Sequence, residues 1–312
     1  MRRTLPGGAS AWSTIGLDVG GTKILAGILD QDGTLAELRA AETPGRQNLP
    51  RAVEDAMVRV VGELRAGREV RAVGVGAAGF VGREGTVRFA PHVSWRDEPL
   101  QRRLEERLGL PVVVDNDANV TALAELELGA ARGARDAVCI TLGTGIGGAV
   151  VMDGDVRRGT SGLAGEFGHM QVVPQGRPCP CGQNGCWEQY CSGTALRRAA
   201  REHGAPAGTE GPDVTAAAGA GVDWALRAFE DVGGWLGVGA AALCSALDPE
   251  VVVVGGGLSG AGELLLDPAR AALAEKLPGR EHRPMPRLVQ AACGPQAGMI
   301  GAALLARASI DP

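Results

Sequence analysis

Two Gly-rich turns, each set between apolar strand-like runs, recur along the chain and constrain its fold more than any other feature. Ile15-Gly16-Leu17-Asp18-Val19 leads into Gly20-Gly21-Thr22-Lys23, and Ile24-Leu25-Ala26-Gly27-Ile28-Leu29 leads out, with Asp32-Gly33 closing the hairpin. The plan returns at Val138-Cys139-Ile140-Thr141-Leu142, the turn Gly143-Thr144-Gly145, the strand Gly147 to Met152 and the turn Asp153-Gly154. The period is far too long for a solenoid, so the repeat reads as a duplication giving two similar lobes. Between the copies, helical spacing predicts helices over Leu49 to Arg65, Pro99 to Leu108 and Val120 to Leu128, and buried strands over Ala72 to Gly76 and Pro111 to Val114. Later helices are expected over Ser192 to His203, Val222 to Leu247, Gly262 to Leu277 and Gly298 to Ala308, with a buried strand at Val251 to Val254. Pro44 to Pro50 reads as a loop, and the Ala/Gly-rich stretch Gly204 to Gly221 as a mobile one.

The chain has 312 residues with 36 acidic and 31 basic, a net charge of −5 and no basic run, so it offers no electrostatic footprint for nucleic acid or an anionic membrane. No membrane span is expected, and Met1 to Gly8 has no apolar stretch despite two arginines, which predicts a cytoplasmic protein. Of seven cysteines, Cys139, Cys191, Cys244 and Cys293 sit in apolar or small-residue segments and read as reduced, buried thiols.

The other three fall in Cys179-Pro180-Cys181-Gly182-Gln183-Asn184-Gly185-Cys186, shortly after His169. A Cys-x-Cys pair followed by Gly-x-x-Gly-Cys lets a tight turn gather three thiolates round one ion, and His169 supplies the fourth ligand of a tetrahedral zinc site. A closed Cys₃His set leaves no position for substrate, so the zinc is expected to be structural, with the flanking Glu166 and Glu188 turned to another task.

Asp18-Val19-Gly20-Gly21-Thr22-Lys23 places a carboxylate before a backbone nest, a hydroxyl and an ammonium. Such a turn can take phosphate oxygens while Asp18 holds Mg²⁺ through water; a tight hairpin capped by an Asp is the lesser alternative for the segment standing alone. Gly143-Thr144-Gly145 supplies a second nest. Two dinucleotide-like matches fail on context: Gly74 to Gly79 runs into a turn, and Gly255 to Gly260 has its acidic partner, Glu275, inside a helix. No P-loop motif occurs. Asp115-Asn116-Asp117-Ala118-Asn119 closes a strand with a dense polar cluster, in which Asp117 is the candidate general base. An Asx-rich helix cap explains the same residues equally well.

Together these segments resemble the ROK family of sugar kinases and repressors, within the actin-like ATPase superfamily, and most closely its bacterial ATP-dependent glucokinase branch. The resemblance implies an α/β, two-lobed actin-like ATPase (ribonuclease H-like) fold, with duplicated strand-hairpin-strand lobes and a central interlobe cleft. It also implies a small lobe of residues 1–121 plus 298–312 and a large zinc-bearing lobe of residues 122–297. The implied reaction is phosphorylation of glucose at the 6-hydroxyl by Mg-ATP, with Asp117 as the base. Gly79, Asn116, Asp117, Glu166, His169 and Glu188 would contact sugar, His169 also binding zinc with Cys179, Cys181 and Cys186. Asp18, Gly20, Gly21, Thr22, Lys23, Gly143, Thr144, Gly145, Gly255, Gly256 and Gly257 would contact ATP. Gly79-Phe80-Val81 and the run Phe89 to Leu100 look most like the glucose enzymes. Other hexose substrates (N-acetylglucosamine, N-acetylmannosamine, mannose, fructose) or a non-catalytic sugar-sensing regulator are the rival expectations, and the resemblance implies a homodimer or homotetramer. Gly294-Pro295-Gln296-Ala297-Gly298 departs from the family's Gly-Asn-x-Ala-Gly run. Seventeen residues precede Asp18, fewer than the winged-helix domain of the repressor branch needs.

Overall fold

The computed structural model describes residues 12–310, so the expectation for Met1 to Gly8 lies outside the described residues. The chain divides into two compact units, one from the residues up to Leu123 together with those from Gln296 onward, the other Ala124–Pro295.

In the first unit, β1 (Ser13–Val19), β2 (Lys23–Asp30) and β3 (Leu35–Glu42) form an antiparallel meander. β4 (Val70–Ala77) adds parallel to β1, and β8 (Val112–Asn116) adds parallel to β4. The sheet order is therefore β3-β2-β1-β4-β8. α1 (Pro50–Arg65) and α2 (Leu100–Leu108) accompany it, and β5 (Phe80–Val81), β6 (Val87–Phe89) and β7 (Arg96–Glu98) make a small second sheet. Ile15, Leu17, Val19, Ile24 and Ile28 are fully buried with Val53, Met57, Val60 and Trp95 on one face of the sheet, and Gly16, between them in β1, is buried too because the opposite face is also covered.

The second unit repeats the sheet. β9 (Ala137–Leu142), β10 (Ile146–Met152) and β11 (Asp155–Arg157) form the meander. β12 (Val251–Gly255) and β13 (Arg287–Gln290) add in parallel, giving β11-β10-β9-β12-β13. Its helices are α4 (Gly193–Glu202), α5 (Gly211–Gly219), α6 (Asp223–Leu247) and α7 (Glu263–Lys276). α3 (Asp117–Glu127) follows β8 and carries the chain out of the first unit; α8 (Ala297–Ile310) follows β13 and brings it back.

Glycine in the strands serves close packing. A Cβ at Gly16 would collide with the Met299 carbonyl and one at Gly74 with that of Ala302, so α8 lies backbone to backbone on β1 and β4. Close packing thus explains the first glycine of the Gly74 to Gly79 match without a nucleotide, and Gly76, where a Cβ would meet the Val120 side chain, is explained likewise. Two expectations need correction. The stretch Gly204 to Gly221 is not a plain loop: α5 lies within it, started by a capping box in which Glu210 and Asp213 exchange side-chain and backbone bonds, and held by buried Val214 and Ala218. The helix expected from Val120 begins at Asp117.

Candidate functional site

In the first unit the turn after β1 is closed by Gly20 N–H donating to the Lys23 carbonyl at 3.0 Å, and the side chains of Thr22 and Lys23 are exposed. A Cβ at Gly21 would sit 2.5 Å from Cβ of His92, a residue inside the run Phe89 to Leu100 that the sequence did not single out as a site residue. Asp18 and Asp117 are half-buried in the same unit. Burial above all, and then the negative charge of Asp117, pushes the Asp18 carboxyl up to about 7. Burial raises Asp117 to about 6, opposed by the Ala118 N–H, its own N–H and the Asn116 side chain. Gly298, at the start of α8, is next to Asp18: a Cβ there would be 2.7 Å from Oδ2.

The polar cluster after β8 divides its labour. Asn116 Oδ1 accepts from the N–H groups of Ala118 (2.8 Å) and Asn119 (3.3 Å), capping α3. Its Nδ2 donates to the Gly79 carbonyl at 3.0 Å, which fixes Gly79, whose φ of +143° suits glycine. Asp115 Oδ1 accepts from Asn116 N–H and from Asn119 Nδ2, both at 2.8 Å. Asp117, at the first position of α3, shares the capping, its Oδ1 accepting from Ala118 N–H at 2.9 Å.

In the second unit the turn is tighter, Gly143 N–H donating to the Gly145 carbonyl at 3.0 Å. A Cβ at Gly145 would land on Glu188 Oε2, and that same oxygen accepts from Ile146 N–H at 3.0 Å. The turn Gly255 to Gly257 meets the same hairpin, since a Cβ at Gly256 (φ +82°) would collide with the Leu142 backbone. Glu166 precedes a single 3-10 turn, Phe167–His169, and the Phe167 ring fills the space a side chain at Gly148 would need.

The ligand atoms of His169, Cys179, Cys181 and Cys186 all lie within 4.8 Å of one another. Cys179 Sγ is 3.8 Å from His169 Nδ1, and Cys181 Sγ is 3.6 Å from Cys186 Sγ. Tetrahedral zinc with these ligands has edges of about 3.5–3.8 Å, so the donor set fits such an ion. Gly182 (φ +92°) and Gly185 (φ +75°) make the turn that gathers the thiols. Burial first, and then the neighbouring thiols, pushes Cys186 up to about 12, whereas the Gln183 N–H lowers Cys181. Two isolated bridges, Gln171 with Cys186 and Pro178 with Asn184, hold the segment.

The ROK family profile matches residues 14–309, nearly the whole chain. This chain belongs to the ROK family. It is 44% identical to a glucokinase of Streptomyces coelicolor over 94% of its own length and 97% of the relative's. It also resembles a ROK glucokinase of Streptomyces griseus solved with glucose and AMPPNP, with a TM-score of 0.86 and 44% identity over 95% of this chain and 99% of that one. An N-acetylmannosamine kinase of Citrobacter koseri is 34% identical over 95% of this chain and 99% of the relative. The two-lobed α/β actin-like ATPase fold of ROK sugar kinases is thus the fold of this chain, each unit contributing one copy of the five-stranded sheet. Among the described residues no helix is long and apolar enough to cross a membrane.

Proposed function

We propose that this chain is a cytoplasmic ATP-dependent glucokinase, transferring the γ-phosphoryl group of Mg-ATP to the 6-hydroxyl of glucose. The observation that carries the reading is the half-buried carboxylate of Asp117, held near 6, in a chain of the same family as the glucose- and AMPPNP-bound enzyme. A base of that strength is mostly ionised at neutral pH yet still basic enough to take a hydroxyl proton. Asp117 accepts the proton as the sugar oxygen bonds to the γ-phosphorus and the bond to the leaving ADP oxygen breaks. The turns Gly20-Gly21-Thr22-Lys23 and Gly143-Thr144-Gly145 cradle the phosphates, and Gly255-Gly256-Gly257 lies on the adenosine side. Mg²⁺, held by Asp18 through water, would neutralise phosphate charge, which suits an Asp18 carboxyl that burial and Asp117 otherwise keep partly protonated.

Gly79, Asn116, Glu166, His169 and Glu188 contact the remaining hydroxyls. His169 Nδ1 faces Cys179, which leaves Nε2 for sugar, and zinc held by His169, Cys179, Cys181 and Cys186 would brace the ring in that orientation. The test is ADP release with Mg-ATP across glucose, mannose, fructose, N-acetylglucosamine and N-acetylmannosamine. Clear preference for glucose is the expected result. Preference for N-acetylmannosamine would move the chain beside its 34% relative, and no turnover with any sugar would mark a non-catalytic sensor.

A further inference from the structure

One short stretch of chain after the last thiol ligand occupies three backbone groups of the second hairpin. Glu188 Oε2 accepts from Ile146 N–H, Gly193 N–H donates to the Gly143 carbonyl at 2.8 Å, and Thr194 Oγ1 donates to the Thr144 carbonyl at 2.9 Å. The stretch is itself fixed at both ends. Trp187 is fully buried, donates its indole N–H to the Trp235 carbonyl at 2.7 Å, and rests where a side chain at Gly239 would be. Ser192, also fully buried, caps α4 by accepting from Ala195 N–H at 3.0 Å, which sets the first turn of the helix and the Thr194 hydroxyl with it. No sequence motif marks Thr194, because a lone threonine at a helix start is ordinary.

We infer that Thr194 is a positioning residue for the nucleotide, and that the metal-bearing loop reaches the phosphates through the stretch from Glu188 to Thr194. This rests on the reading of Gly143-Thr144-Gly145 as a phosphate turn. The turn has few bonds of its own, so its shape depends on the neighbours that hold its carbonyls and N–H groups. Loss of the Thr194 bond frees the Thr144 carbonyl and loosens the turn before any phosphate arrives. The cost then appears in nucleotide binding and not in proton transfer at Asp117.

The experiment is calorimetric titration of the purified protein with AMPPNP and excess Mg²⁺, without sugar. Thr194→Val, which keeps shape and removes the hydroxyl, is expected to weaken binding about fivefold, the size of one neutral hydrogen bond. Thr194→Ser is expected to restore it. In turnover, Thr194→Val raises KM for ATP and leaves kcat within about twofold. Wild-type protein stripped of its thiol-bound metal and returned to Mg²⁺ is expected to lose nucleotide affinity as well, and stripping Thr194→Val to add less than stripping the wild type, because the two share one path. Unchanged affinity in Thr194→Val, or a Thr194→Ser variant as weak as the valine, would overturn the inference while leaving the phosphate reading intact. A wild type that binds no AMPPNP would overturn both.

Discussion

The two units carry the same five-stranded sheet in the same order, yet they arm it differently. The first keeps its carboxylates on its own sheet, Asp18 near the end of β1 and Asp117 just beyond β8. The second has no acid at the matching places: β9 ends in Thr141-Leu142 and β13 in Val289-Gln290. Its carboxylate beside the turn, Glu188, arrives from the metal-capable loop. The duplicated scaffold is therefore tuned by charge burial in one half and, in the other, by a loop whose three thiols and one imidazole converge. The first half should respond to pH and the second to metal.

Removing a thiol ligand is the strongest way to separate the halves. Cys181→Ala is expected to lose stoichiometric metal, to melt at lower temperature and to lose about 10–100-fold in activity, since the loop carrying Glu188 and His169 is then unanchored. Metal analysis, thermal melting and glucose titration check it, and a variant that kept both stability and glucose affinity would break the comparison. Next in size, Gly145→Ala drives a methyl into Glu188 Oε2 and is expected to cost about 1–3 kcal/mol of overpacking, raising KM for glucose. Gly143→Ala has open space and should leave the melting temperature without nucleotide nearly unchanged, as should Gly20→Ala in the other unit, whose nearest neighbour is the Lys23 carbonyl at 3.4 Å. Equal effects at Gly145 and Gly20 would mean the two turns are not held differently.

The smallest effect concerns pH. Asp18 and Asp117 have folded values raised to about 7 and about 6, above the ordinary 3.8, so the folded state binds their protons more tightly than the unfolded chain. Their contribution is fully present below about pH 4 and is lost as pH rises through 6 to 7. Asp117→Asn without Mg²⁺ or ligand should thus be more stable than wild type at pH 8, by on the order of 1 kcal/mol, and little different at pH 4. Denaturant melts at the two pH values measure it; a variant less stable at pH 8 would contradict the burial argument.

Much of this was legible because the informative residues are local. Alternating apolar runs around Gly20 and Gly143 announced the two hairpins, and the Cys-x-Cys pair with its glycines announced the turn that brings four ligand atoms within 4.8 Å. The edge strand Leu35–Glu42 escaped notice because most of its residues are at least half-exposed, and Arg287–Gln290 is too short for a pattern. α5 was hidden by its glycines, although Glu210 and Asp213 carried the capping signal. The polar cluster Asp115 to Asn119 supported capping or catalysis equally; contacts of Asn116 with residues far along the chain, such as Gly79, decide its part. Thr194 acts on Thr144, fifty positions earlier, a relation that only folding creates.

The central claim is that Asp117 takes the proton of the sugar hydroxyl, and turnover of Asp117→Asn alongside its glucose affinity tests it most directly. A fall in kcat of about 10²–10⁴ with glucose binding kept near the wild-type value is the expected result. Turnover within a few-fold of wild type would contradict the account.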